Sequence, residues 1–187
     1  MQSIRNVLRL VAILNLAYFF VEFSFALNFG SVSLLADSID FLEDASINIL
    51  IFIGLSWTLP ARMRLARLLA LLLMVPVVSV VFSVVEKLNN PSIPSGAGIS
   101  LVATGALAIN FTCSLLLVKF RKNAQNLVIA AYLSARNDAI TNVAIIIVGI
   151  LTIFWPSSIF DIAVGVGIGV LNSNSAIKVW RSAEKIN

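Results

Sequence analysis

Apolar residues run through this 187-residue chain in stretches much longer than a water-facing helix or strand carries, and short polar connectors divide them. A hydrocarbon layer about 30 Å thick takes about 20 apolar residues in helical form. Six segments reach that length, at about 7–28, 31–59, 65–85, 97–118, 127–154 and 159–179. The connectors carry turn and breaker residues: Phe29-Gly30, Leu59-Pro60, the run NNPSIPSGAG over 89–98, and Trp155-Pro156. Arg5 and Arg9 ahead of an apolar run imitate a signal peptide. Glu22 inside that run and the five spans that follow make it the first helix instead. The pattern predicts an all-α membrane protein, a bundle of six transmembrane helices forming one domain over 1–187.

Composition agrees and excludes alternatives. The residues AVILMFWYC make up 59% of the chain, charged residues 12%, and mean hydropathy is +1.00. Soluble domains carry about 25% charged residues, so this chain cannot cover a water-facing surface. A soluble enzyme or a nucleic-acid-binding module is therefore not expected. There is no histidine, which removes the commonest metal ligand and proton carrier, and Cys113 is the single cysteine. No nucleophile–base pair or cofactor motif is present, so neither enzyme activity nor a bound cofactor is expected.

The net charge of +4 reflects orientation rather than a polyanionic partner. With six crossings both termini share a side. That side holds Arg5, Arg9, Arg62, Arg64, Arg67, Lys119, Arg121, Lys122, Lys178, Arg181 and Lys185. Only Lys87 falls opposite, and Arg136 lies in mid-span. Both termini are accordingly expected in the cytoplasm.

Charge inside the spans carries the chemistry, because an ionisable residue in hydrocarbon is costly and marks a cavity or a partner. Asp37, Asp40, Asp44 and Asn48 stand at i, i+3, i+7 and i+11 on one face of the second helix. Glu43 is turned about 100° from Asp44. Ser134, Asp138 and Asn142, at i, i+4 and i+8, form a matching stripe on the fifth helix. The two helices run in opposite directions, so Asp40, Asp44, Ser134 and Asp138 are expected at one depth. Oxygen ligands suit a divalent cation, at a site harder than a typical zinc site. The plainer reading pairs these acids structurally with Arg136 or Lys87. Asn172, Ser173, Asn174 and Ser175 line an inner vestibule or mark the interface, and Gly165, Gly167 and Gly169 permit close helix packing.

At these stripes the sequence resembles the cation diffusion facilitator (cation efflux) family of secondary transporters, which exchange divalent metal for protons. GSVSLLADSIDFLEDA (30–45) is similar to the family's second helix, and AAYLSARNDAITN (130–142) to its fifth. Asn15, Glu22, Asn110 and Trp155-Pro156 leading to Asp161 agree as well. The resemblance implies metal ligands at Asp40, Asp44 and Asp138. The remaining fifth-helix ligand falls on Ser134, a neutral group, and Asn137 offers an amide oxygen nearby. Arg136 beside the site departs from the pattern. The family's cytosolic C-terminal domain has no counterpart before Asn187, so sensing and dimerisation through it are not expected.

The implied function is export of a divalent metal ion, zinc, manganese, iron or cobalt, from the cytoplasm in exchange for protons, across a bacterial cytoplasmic (inner) membrane. The implied partners are the cation, protons, the lipid bilayer and a second copy in a homodimer, with no nucleic acid. Two carboxylates on adjacent turns in low dielectric resist double ionisation, so the empty site holds a proton that an arriving cation displaces. Asp37 guides ions from outside. Two alternatives stand beside this reading. One is a degenerate, non-transporting membrane protein of the same fold, favoured by Ser134 and Arg136. The other is a proton-coupled exporter of another cation that uses Glu22.

Overall fold

The computed structural model describes residues 2–54, 57–120, 126–172 and 174–185. Its elements are α1 (Gln2–Phe29), α2 (Val32–Gly54), α3 (Leu59–Asn89), α4 (Gly96–Val118), α5 (Asn126–Phe154), α6 (Ile159–Leu171) and α7 (Ser175–Lys185). No strand occurs among the described residues. Short connectors pack α1 on α2, α2 on α3, α4 on α5 and α5 on α6, whereas α4 also lies on α1 and α7 lies on α3 and α2. Among the described residues, four helices, α1, α3, α4 and α5, are long and apolar enough to cross a membrane. α2 has the length but carries four acids, and α6 is apolar but has only 13 residues. Arg121 and Lys122 of the expected basic loop lie outside the described residues.

Local chemistry sets the ends. Gly30, at φ +62°, lets α1 close with Ser31 N–H donating to Ala26 C=O at 2.9 Å and Gly30 N–H to Leu27 C=O at 3.3 Å. The chain can then turn straight into α2. α3 starts at Leu59, earlier than the pattern over 65–85 suggests, because Pro60 sits in its first turn, where no N–H is needed. The expected sixth helix over 159–179 is divided. α6 stops at Leu171 and α7 begins at Ser175, where Asn and Ser side chains compete with the helical backbone. Ser173 lies outside the described residues.

Polarity is distributed inside out. Leu68, Leu71, Val78, Val81, Phe82, Leu101, Phe111 and Ile140 face outward. Asn15, Glu22, Asp37, Glu43, Asp44, Asn48, Asn110, Asp138 and Asn142 are buried. Only a non-aqueous surrounding makes that arrangement favourable. α2 sits at the centre, packed on α1, α3, α5, α6 and α7, while α5 lies mainly on α4. Of the three glycines in α6, Gly165 lies against the start of α2. A Cβ there would stand 2.6 Å from the Val32 backbone carbon. Gly167 has nothing within 4 Å of such an atom.

Candidate cation site

Helical periodicity turns the acids of α2 inward. Asp37, Glu43 and Asp44 are buried and Asp40 is half-buried. Across the interface, the Ser134 hydroxyl of α5 lies beside the Asp44 carboxyl. Asp138 is buried on the same side of α5, within electrostatic reach of Asp40, Asp44, Asp37 and Glu43. Asp40, Asp44, Ser134 and Asp138 thus share one interior region. Asn137 does not. It is exposed, and its Oδ1 accepts a 3.3 Å hydrogen bond from Arg136. Among the described residues, no three carboxyl or thiol groups stand close enough to enclose a metal ion by themselves.

The interior around them holds several oxygens without a donor. Asn48 Nδ2 donates to the Asp44 carbonyl at 2.8 Å, and Asn142 Nδ2 donates to the Asp138 carbonyl at 2.9 Å. Each asparagine so spends its donor one turn back along its own helix. Asn48 Oδ1 and Asn142 Oδ1 are left buried and partnerless, as is Asp44 Oδ2. Both oxygens of Glu22 and both of Asp37 are in the same condition, and these two carboxyls face each other across α1 and α2. Asn15 Oδ1 extends the set, while Asn110 Nδ2 is a buried donor without an acceptor. A buried polar atom without a partner costs about 1–3 kcal/mol, so an interior with this many favours whatever donors or cations can reach it.

The model of the cation efflux transmembrane domain matches residues 64–185, more than half of the chain. The chain belongs to the cation efflux family. No curated protein sequence matches it significantly. Cation efflux proteins are transporters rather than enzymes, and this member is an integral, multi-pass membrane protein for cation transport. The matched stretch takes in the α5 stripe, while the acids of α2 precede it and enter the site through packing.

In this cation efflux protein the positive charges are placed differently from the structural pairing considered on sequence. Lys87 does not meet the acids of the interior. It ion-pairs with Asp161 at the start of α6, Nζ to Oδ2 at 2.9 Å, with 4% and 0% of the side chains exposed. Asp161 also accepts from Ser31 Oγ at 2.7 Å, Val32 N–H at 2.8 Å, Ser33 N–H at 3.1 Å and Ser33 Oγ at 2.7 Å. It therefore caps the N-terminus of α2, where the backbone dipole favours an anion. Arg136 is exposed and turned towards Asn137. Glu43 is engaged instead by Lys178 of α7, Nζ to Oε1 at 3.3 Å. Sequence reasoning counted Lys178 only as a cytoplasmic charge. The break that aims it inward lies in the NSNS run over 172–175.

Proposed function

We propose that this protein exports a divalent metal ion from the cytoplasm in exchange for protons, with Asp40, Asp44 and Asp138 as ligands and the Ser134 hydroxyl completing the set. The observation that supports this is that carboxyls of α2 and α5 are buried within electrostatic reach of one another, beside oxygens that have no donor. An ion with oxygen ligands meets that need directly. Asn48 and Asn142 supply further neutral oxygens near the ends of the two stripes. Asn137, on the exposed side of α5, acts at most on the approach of the ion. Arg136 points away, so its charge is no obstacle at the site.

Exchange follows from competition. Carboxyls that hold the ion must be deprotonated, and carboxyls that have released it take up protons, since bare like charges in low dielectric repel. If the site faces each side in turn, protons entering from outside drive the ion out. An all-oxygen set without histidine favours a harder ion than a histidine-containing zinc site does, which puts manganese and iron(II) ahead of zinc and cobalt. The basic residues at the α1–α2–α3 inner ends support cytoplasmic termini, and we place the protein in a bacterial inner membrane, as a homodimer.

The test is transport into inside-out vesicles. Asp44→Asn and Asp138→Asn are each expected to reduce manganese uptake and manganese-driven proton release by at least about 100-fold, as loss of a ligand or its support does. Ser134→Ala should cost far less. Undiminished uptake by Asp44→Asn at equal expression would overturn the assignment.

A further inference from the structure

The break between α6 and α7 brings a cation of the protein's own to the acids of α2. α7 is seated by Ser175 and Val179, both buried and one turn apart, and by Trp180, whose ring lies 5.0 Å from the Arg67 guanidinium of α3. From that seat Lys178 reaches towards the centre of α2. Its Nζ stands 3.3 Å from both Glu43 oxygens. Its charge also bears on Asp40 and Asp44. At the break itself, the Asn172 carboxamide lies beside Asp40, and its Nδ2 is buried without a hydrogen-bond partner. Asn172 and Lys178 therefore place a donor and a positive charge beside the carboxyls that the proposed ion would use, Lys178 through its contact with the neighbouring Glu43.

The two ends of the pair differ in burial. Glu43 is 5% exposed and Lys178 is 50% exposed. A buried carboxylate needs a counter-charge, and removing one without replacement is costly. A half-exposed ammonium on a flexible stem gains little from the pair and returns to water easily. The pair thus suits exchange of one cation for another better than it suits permanent fastening.

We infer that Lys178 is a tethered substitute for the transported cation: it neutralises the acids of α2 while the site is empty, and the arriving ion displaces it and loosens α7. The inference rests on the carboxylate site proposed above and adds a competitor to it. Affinity for the ion is then set against the internal ammonium, and occupancy is reported at the inner surface by the freedom of α7.

Manganese(II) titration of the purified protein, with amide hydrogen exchange of residues 175–185, tests this. Lys178→Gln is expected to bind manganese about tenfold more tightly than the wild type, within the usual range of such couplings. Lys178→Arg, which keeps the charge, should stay within about threefold of the wild type. In the wild type, saturating manganese should speed exchange in α7, and in Lys178→Gln that exchange should be fast already. An ion pair that served only to hold α7 would leave affinity unchanged or weaker on removal, and either result for a monodisperse Lys178→Gln overturns the inference. So does α7 exchange in the wild type that manganese leaves unmoved, a readout that needs no variant. A wild type that binds no manganese, zinc, cobalt or iron(II) removes the carboxylate site itself. Normal binding with an unaltered Lys178→Gln removes only the role of Lys178.

Discussion

Asp161 and Asp44 show two ways of burying a carboxylate. Asp161 is fully enclosed and satisfied by two hydroxyls, two backbone N–H groups and an ammonium. Asp44 keeps one oxygen with no donor. The first is fixed by its partners, and the second keeps an oxygen open, as the proposed ion requires. Lys87→Met would leave Asp161 buried without its counter-charge and is expected to cost about 3–5 kcal/mol. Lys87→Met with Asp161→Asn should recover part of that. Thermal unfolding midpoints in detergent measure both, and equal midpoints for the wild type and Lys87→Met would contradict the assignment. Spacing alone makes legible that Asp40 and Asp44 share one face of α2 and Ser134 and Asp138 one face of α5, because helical periodicity decides which residues share a face. The same rule corrects the expectation of Arg136 beside the site: two residues from Asp138 is about 200° around the helix, which is the far side, where Arg136 is exposed. The Lys178–Glu43 pair was not legible. It joins residues 135 apart in sequence and depends on a break that only tertiary packing locates.

Among the helices, α6 was the least predictable. The expected span continues past residue 171, yet the helix ends at Leu171, Asn172 and Asn174 are in turns, and helix restarts at Ser175. Hydropathy averages over a window and misses four short polar residues that prefer caps and turns. Pro60 misled in the opposite sense: it reads as a breaker but opens α3. The glycines of α6 resolve only in three dimensions. Gly165→Ala would drive a methyl group into the backbone of α2 at Val32–Ser33 and is expected to cost about 1–3 kcal/mol. Gly167→Ala meets open space and should be neutral or stabilising by up to about 1 kcal/mol. Melting curves of the two variants decide this, and equal losses would mean that α6 does not approach α2 at Gly165.

For the whole molecule, the class of fold follows from composition, since a chain that is 12% charged can hide its polar groups only by surrounding them with apolar ones. Orientation is the testable part. Single cysteines placed at Ile93 and at Arg64, both exposed and on opposite ends of the bundle, are expected to differ in reactivity towards an impermeant thiol reagent applied to intact cells. Position 93 should react and position 64 should not, with buried Cys113 as a silent background. The reverse result would invert the topology. One consequence of the Asp161 clasp concerns leverage. It fastens α2, α3 and α6 at a single rim, whereas the half-exposed Lys178 holds α2 only near its middle, at Glu43. A rod held at one end swings at the other. At about 1.5 Å per residue the 23-residue α2 is about 35 Å long, so a tilt of about 10° displaces its free tip by about 6 Å, wide enough to admit water.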